Sequence, residues 1–408
     1  MKKACFIKRS KLYILPLLIL VFNGCNDNDD TPPGHITGNT TWSGTVTITG
    51  DVIVEEGVTL TIEPGTTITI TADQDDTGLS HLGEVDDLTT SDPTADPDAG
   101  GLEYQQSHIS IIINGTIISR GTSDAPIKFC SSNPDPFYTD WTGITANNGV
   151  FEYTIIEWCL DGLYSLDNFE KLTVDHCLVR HVWAAGIGFN RPLNSGVEAY
   201  IKNTTIEDCG HEAIDTHSPG IIELAYNVIR DSQVGINLHD DMNANIHHNI
   251  IVNTTFPFIC VNSTDVFITQ CILQASIQDN TRWTYQGWTM PLFEDPAAIF
   301  ISNSTATSVI VTNSIILDSP VGFKNEAPQE ALANGYINMD NVDEPYALNS
   351  IQGAGCLEVE SGFVNQAGGD FHLLDTSPLK NAGNPEDGSP DLGAYGGVEA
   401  QEDIGCNM

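Results

Sequence analysis

From about residue 42 the chain alternates apolar and polar residues in runs of three to five, each ending at a turn residue. The stretches "WSGTVTITGDVIVEEGVTLTIEPGTTITI" (42–70) and "ISIIINGTIISRGTSDAPIKF" (109–129) show it plainly. A period of two marks a strand with one buried face, and no apolar stripe recurs at helical spacing. Further on the runs themselves repeat. "YTIIEW" (153–158), "HCLVRH" (176–181), "NTTIED" (203–208), "YNVIRD" (226–231), "HNIIVN" (248–253), "QCILQA" (270–275) and "TNSIIL" (312–317) align on Thr154, Cys177, Thr204, Asn227, Asn249, Cys271 and Asn313. The steps are 23, 27, 23, 22, 22 and 42 residues, the last being two units with an insertion. Eight or nine residues after most anchors a second run begins: "GIGFN", "AIDTH", "GINLH", "FICVN", "GFKNE".

A unit this short cannot bury its own apolar side. Stacked at ~4.8 Å, each strand pairs in parallel with its counterparts and the units close one continuous core. The pattern therefore predicts an all-β, right-handed parallel β-helix with short loop insertions and a closing C-terminal segment. A β-propeller needs units of roughly 40–50 residues and is excluded.

The register predicts which side chains face out. In the second run Ile187/Phe189, Ile214/Thr216, Ile236/Leu238 and Ile259/Val261 are expected inside. Gly188/Asn190, Asp215/His217, Asn237/His239 and Cys260/Asn262 are expected outside. His217 and His239 then stand on adjacent rungs, beside Asp215 and Asn237, with Asp240 and Asp241 in the following turn. Glu157, Arg180, Glu207 and Arg230 fall in one outer column as an ion-pair ladder. His181, Trp183, Asp208, His211, Glu212 and Asp231 share the turn before the polar face. Among the cysteines, Cys177 and Cys271 are anchors, Cys159 and Cys209 lie two rungs apart and beyond disulfide reach, and Cys356–Cys406 is the one expected bridge. His247 and His248 are expected on opposite sides of a strand.

Two insertions interrupt the pattern. Residues 72–107 are Asp-rich with no Lys or Arg, an acidic loop without ordered Ca²⁺-ligand spacing. Residues 276–296 hold Arg282, Trp283, Tyr285, Trp288 and Phe293, which suit either sugar stacking or local capping of the core.

The first 25 residues carry five basic residues, then an apolar run from Leu12 to Phe22, the form of a secretory signal. The ending "FNGC" resembles a bacterial lipobox, which implies lipidation at Cys25, and "NDNDD" resembles an acidic surface-export tag. Loss of this segment moves the formal charge from −40 to −45. Such a chain repels nucleic acid and anionic headgroups, so a membrane is expected only through the lipid.

"LTIEPGTTI", "NGTIISRGTSDAPIKF" and "WTGI" resemble a family of bacterial exported β-helix proteins of pectin-lyase-like fold. The segment "GGDFHLLDTSPLKNAGNPEDGSPDLGAYGG" (368–397) resembles their choice-of-anchor-type end. The resemblance implies fold and export; the family holds lyases, hydrolases, epimerases and proteins without activity. The chain divides into a signal (1–25), an acidic, Pro-containing linker (26–40), the β-helix (41–328) and a C-terminal end and cap (329–408).

The chemistry follows from the polar face. A polysaccharide lyase would use His217 or His239 as base, with Arg191 or a Ca²⁺ on Asp215, Asp240 and Asp241 to neutralise the substrate's uronate. A glycoside hydrolase would pair carboxylates from Asp215, Asp240, Asp241 and Glu212. "CGHEA" before "LHDD" reverses the polygalacturonase order, and the Lys/Arg pairing of alginate- or chondroitin-type lyases is absent. The expectation is a monomeric outer-membrane lipoprotein, facing the cell surface or the periplasm, that binds and in one reading cleaves a uronate-containing polysaccharide. Arg191, Asn237, Arg282, Trp283, Tyr285 and Trp288 would grip it. The alternative is a non-catalytic scaffold holding glycan or a metal, the paired histidines with aspartates suiting Zn²⁺ or another transition metal while no short ligand motif fixes which.

Overall fold

The chain's ladders run almost entirely parallel, strand n pairing with its counterpart one turn on. The computed structural model describes residues 34–77, 107–165, 168–189, 196–263, 265–285, 288–303, 307–388, 390–397, 401 and 404–405. They form a parallel β-helix of about eleven turns with three faces. The first sheet includes Leu163–Ser165, Ile187–Phe189, Glu212–Thr216, Val234–Leu238, Phe256–Cys260, Ile299–Ile301 and Val321–Asn325. The second includes Lys171–Asp175, Val197–Lys202, Gly220–Ala225 and Met242–His247. The third is an 11-stranded sheet that includes Thr154–Cys159, Leu178–Val182, Thr205–Cys209, Val228–Arg230 and Ile250–Thr254. Helix is confined, among the described residues, to single 3-10 turns.

Two columns of left-handed residues turn the corners. Tyr153, His176, Asn203, Tyr226, His248, Gln270 and Asn313 all have φ between 45° and 60°. From Tyr153 to Gln270 the backbone N–H of each bonds a carbonyl of the next rung, as in Tyr153 to Asp175 and His176 to Lys202. Trp158, His181, Asp208, Asp231 and Asn253 form the second column, at the ends of the third-sheet strands. Bulky side chains rarely adopt this conformation. Here each one faces its equivalent a rung away, so the rings stack: Tyr153 on His176 at 4.7 Å and Trp158 on His181 at 4.0 Å.

Inside the third sheet the anchors build a polar ladder. The Thr204 N–H donates to Asn227 Oδ1 (3.0 Å), and the Asn227 N–H donates to Asn249 Oδ1 (2.9 Å). Asn249 Nδ2 donates to the Leu224 and His247 carbonyls. The Cys271 N–H donates to Ser314 Oγ (3.1 Å). The last anchor is thus Ser314; Asn313, expected in that role, occupies the left-handed corner one residue earlier. Polar residues are tolerated at this depth because the ladder satisfies them.

Three further expectations are corrected. Phe258 and Cys260, not Ile259 and Val261, point inward, because Phe258 pairs with Ile236 and Ile259 with Asn237. The run "PFICV" is apolar at every position, so alternation could not select its register. His247 and His248 meet at 2.8 Å (Nδ1 to Nδ1) rather than diverging, since His248 lies at a left-handed corner where alternation stops. Cys356 is a free thiol. Gly405 bonds the Tyr226 carbonyl, five rungs from the Ala354 that follows Tyr336, or about 24 Å along the axis. Cys406, the expected partner of Cys356, lies outside the described residues. Cys159 and Cys209 do lie two rungs apart, with Val182 between.

The C-terminal segment folds back over the third sheet. Ile250, Ile272, Ile315 and Leu317 face outward there and pack against Phe371, Leu379, Leu392 and Ala394. His248 Nε2 bonds the Gly396 carbonyl at 2.9 Å. This strap covers the outside of the third sheet.

Asn249→Ala removes one ladder rung and strands two carbonyls and the Asn227 N–H. We expect a loss of about 2–4 kcal/mol, read as a lower urea midpoint at unchanged slope.

Candidate functional site

The polar face lies on the first sheet. Gly188, Asp215 and Asn237 are register partners in that order, and Ile259, Phe300 and Lys324 continue the column. His217 and His239 follow their strands on adjacent rungs; their backbone N–H groups bond Phe189 and Thr216 carbonyls. Their rings stack with centroids 4.2 Å apart and planes 21° from parallel. The carboxylate and two imidazoles predicted to share one wall do so.

Beneath the imidazoles the wall is buried. Asp215 is 4% exposed, Glu212 5% and Asn237 7%. Asn237 Nδ2 donates to Asp215 Oδ1 (3.2 Å) and Glu212 Oε1 (3.3 Å), holding both carboxylates in place. His217 Nε2 lies 3.4 Å from Asp215 Oδ2, and His211 Nδ1 bonds Glu212 Oε2. Burial alone would raise the Glu212 carboxyl; the His211 and His217 imidazoles and the Asn237 amide together bring it below its ordinary value. Burial, aided by His217, lowers His239 to about 4 against the pull of Asp240 and Glu212. His239 is therefore neutral near pH 7, with a free ring lone pair. Asp240 and Asp241 are exposed at left-handed positions of the next turn and do not join this cluster.

These facts bear on the chemistry. A hydrolase needs one carboxylic acid kept protonated. Glu212 is instead held ionised, and its side chain and that of Asp215 share one amide donor.

A second cluster occupies the corner between the third and first sheets, where both long insertions leave the helix. Asp208 accepts from Tyr138 Oη (2.7 Å), pairs with His181 Nδ1 (2.7 Å) and pairs with Arg282 Nε (2.8 Å). Burial alone would raise Asp208; His181, Tyr138 and Arg282 outweigh it and hold the carboxyl low. Arg282 also donates to the Asp231 carbonyl (2.6 Å) and lies over the Trp283 ring at 4.0 Å. Expected to grip a sugar, Arg282 is committed to Asp208 instead. Trp283 is fully buried with Trp183, Tyr138 and Met290, so it caps the core and offers no face to a ligand. Tyr285 and Trp288 pair as a two-residue antiparallel ladder; their side chains, like Arg191 and Cys25, lie outside the described residues.

One residue of the face was missed. Tyr164 precedes Gly188 in the outer column, and its ring lies so close that a Cβ on Gly188 would meet it at 2.2 Å. The glycine is the space the ring needs. The signal was there in "GLYSL" and "GIGFN", read in register.

No protein-family model matches the sequence, and no curated protein matches it. Among solved structures, the crystal structure of the pectate lyase Pel9A is similar, at 13% identity over 88% of this chain and 97% of that one, with a TM-score of 0.45.

Asp208→Asn weakens the links to Tyr138, His181 and Arg282 at once, and we expect a loss of about 3 kcal/mol. A carboxyl held low in the fold stabilises above its unfolded value of about 3.9, and that contribution disappears as pH falls through the folded value. Acid unfolding curves should therefore show the variant's deficit at pH 6 shrinking below about pH 4.

Proposed function

We propose that the protein is an exported, lipid-anchored β-helix of the outer membrane that binds polysaccharide along the outer face of its first sheet. The observation that carries this is the outer column itself: Tyr164, Gly188, Asp215, Asn237, Ile259, Phe300 and Lys324, one per rung. A flat ring pressed against the wall, then a carboxylate, an amide and two imidazoles, then a second ring, suits a glycan. Its apolar sugar faces stack on aromatics while its hydroxyls find fixed acceptors and donors. Lys324 Nζ, 5.4 Å above the Phe300 ring, adds a cation.

The second sheet is the competing surface, and its chemistry is weaker. Lys171 pairs with Glu198 and Lys202 with Glu223, as partly exposed ion pairs that need no ligand to explain them. The first sheet instead buries Glu212, Asp215 and Asn237 on an outer wall, at a desolvation cost that imidazoles and an amide offset. Binding is favoured over cleavage because Glu212 is held as an anion and His239 is a weak base.

The test is affinity electrophoresis of the full chain through neutral and uronate-containing polysaccharides. Tyr164→Ala and Lys324→Ala should each weaken retardation by about tenfold, one stacking contact or one cation's worth. Absence of retardation on every glycan rejects the reading. Accumulation of unsaturated uronate in the same mixtures, lost in His217→Ala, replaces it with a lyase. Lipid attachment is read separately, as incorporated fatty acid that Cys25→Ser abolishes.

A further inference from the structure

Asp215, His217 and His239 each offer one ligand-type atom, and these atoms all lie within 4.8 Å of one another. We propose that these three side chains bind one divalent transition-metal ion of the zinc class, with Asn237 as the group that orients the carboxylate. The site stands on donor geometry and is independent of the glycan reading.

The distance between Asp215 Oδ2 and His217 Nε2 is the first argument. At 3.4 Å it is long for a charge-assisted hydrogen bond, which closes to about 2.7–2.9 Å. Two donors each about 2.0–2.1 Å from a tetrahedral ion stand about 3.3–3.4 Å apart, which is the separation found. The second argument is the support around the carboxylate. Asn237 Nδ2 donates to Asp215 Oδ1, and Asp215 Oδ2 lies on the side of His217 Nε2. Metal-binding carboxylates are held in this way by a neighbouring hydrogen bond. The third is an orphan: Asn237 is 7% exposed, and its Oδ1 has no partner among the described residues. A water on the ion would give this acceptor a donor.

The donor set names the class of ion. Two imidazoles and one carboxylate suit zinc, cobalt, nickel or copper, whereas Ca²⁺ and Mg²⁺ favour all-oxygen cages. That weighs against the Ca²⁺ expected on Asp215, Asp240 and Asp241, the last two being exposed in the turn beyond. Three protein ligands leave a fourth position open, and His217, 42% exposed, places that opening on the outer wall. The described residues offer other imidazole–carboxylate pairs, such as His35 with Glu55 and His372 with Asp370, but each lacks a third donor.

The experiment uses untagged full chain stripped with chelator, titrated with Co²⁺ under visible absorption and with Zn²⁺ by calorimetry. One equivalent should bind, with a cobalt ligand-field band that Zn²⁺ displaces and millimolar Ca²⁺ does not. His217→Ala and His239→Ala should each weaken binding by about 100-fold or more, and Asp215→Asn by at least tenfold, while His372→Ala changes nothing. Zn²⁺ should raise the thermal midpoint of the parent and not of the two histidine variants. Equal midpoints in chelator show that those variants fold; should either fall, His217→Gln and His239→Gln replace them. No binding by the parent, unchanged affinity in the variants, or displacement by Ca²⁺ overturns the proposal.

Discussion

Everything in this molecule depends on the corner that each rung turns at a non-glycine residue with positive φ. Such a residue is strained by roughly 1–2 kcal/mol, yet Tyr153, His176, Asn203, Tyr226, His248, Gln270 and Asn313 all adopt it. The strain persists because the freed N–H bonds the next rung and the next anchor, one residue on, enters the buried polar ladder. Corner and ladder together fix the axial register. Once register is fixed, like positions stack at the strand spacing, and any side chain repeated in the sequence becomes a column on the surface.

The polar face is a product of that rule and of two departures from it. Stacking alone delivers His217 against His239 and Asp215 against Asn237. Gly188 departs by having no side chain, which lets the Tyr164 ring lie along the wall beside Asp215. The long insertions depart by leaving the helix at one corner, where Asp208 gathers Tyr138, His181 and Arg282 into a brace. The brace and the C-terminal strap occupy the third sheet and its edge, while the polar column lies on the first.

The sequence is legible wherever a column is regular. The Glu157, Arg180, Glu207 and Arg230 ladder, the spacing of Cys159 and Cys209, and the His217–His239 pair all follow from equal steps between anchors. Legibility fails where the pattern carries no phase. "PFICV" is apolar throughout, so Phe258 and Ile259 were exchanged; "TNSII" offers two small polar residues, so Asn313 stood in for Ser314. His247 and His248 defied alternation because a left-handed corner falls between them. The strap was invisible for another reason. Its contacts span from about seventy residues, as between Asn313 and Asn384, to 148, as between His248 and Gly396, and no local period encodes them.

The charge of the chain limits what the face can hold. At a formal −40 the protein repels a polyanion, though at physiological salt that repulsion is screened beyond about a Debye length, roughly 8 Å. Inside that range local groups decide, and the described part of the column offers one lysine, Lys324, against the buried Asp215 and Glu212. A densely charged polyuronate would meet net repulsion over most rungs, and added salt would relieve it, the reverse of ordinary electrostatic attraction. A glycan carrying few carboxylates avoids that cost and still gains the rings and the fixed polar groups. Under the glycan reading proposed above, sparse charge, and not a fully charged polyuronate, is therefore the composition this wall would fit best.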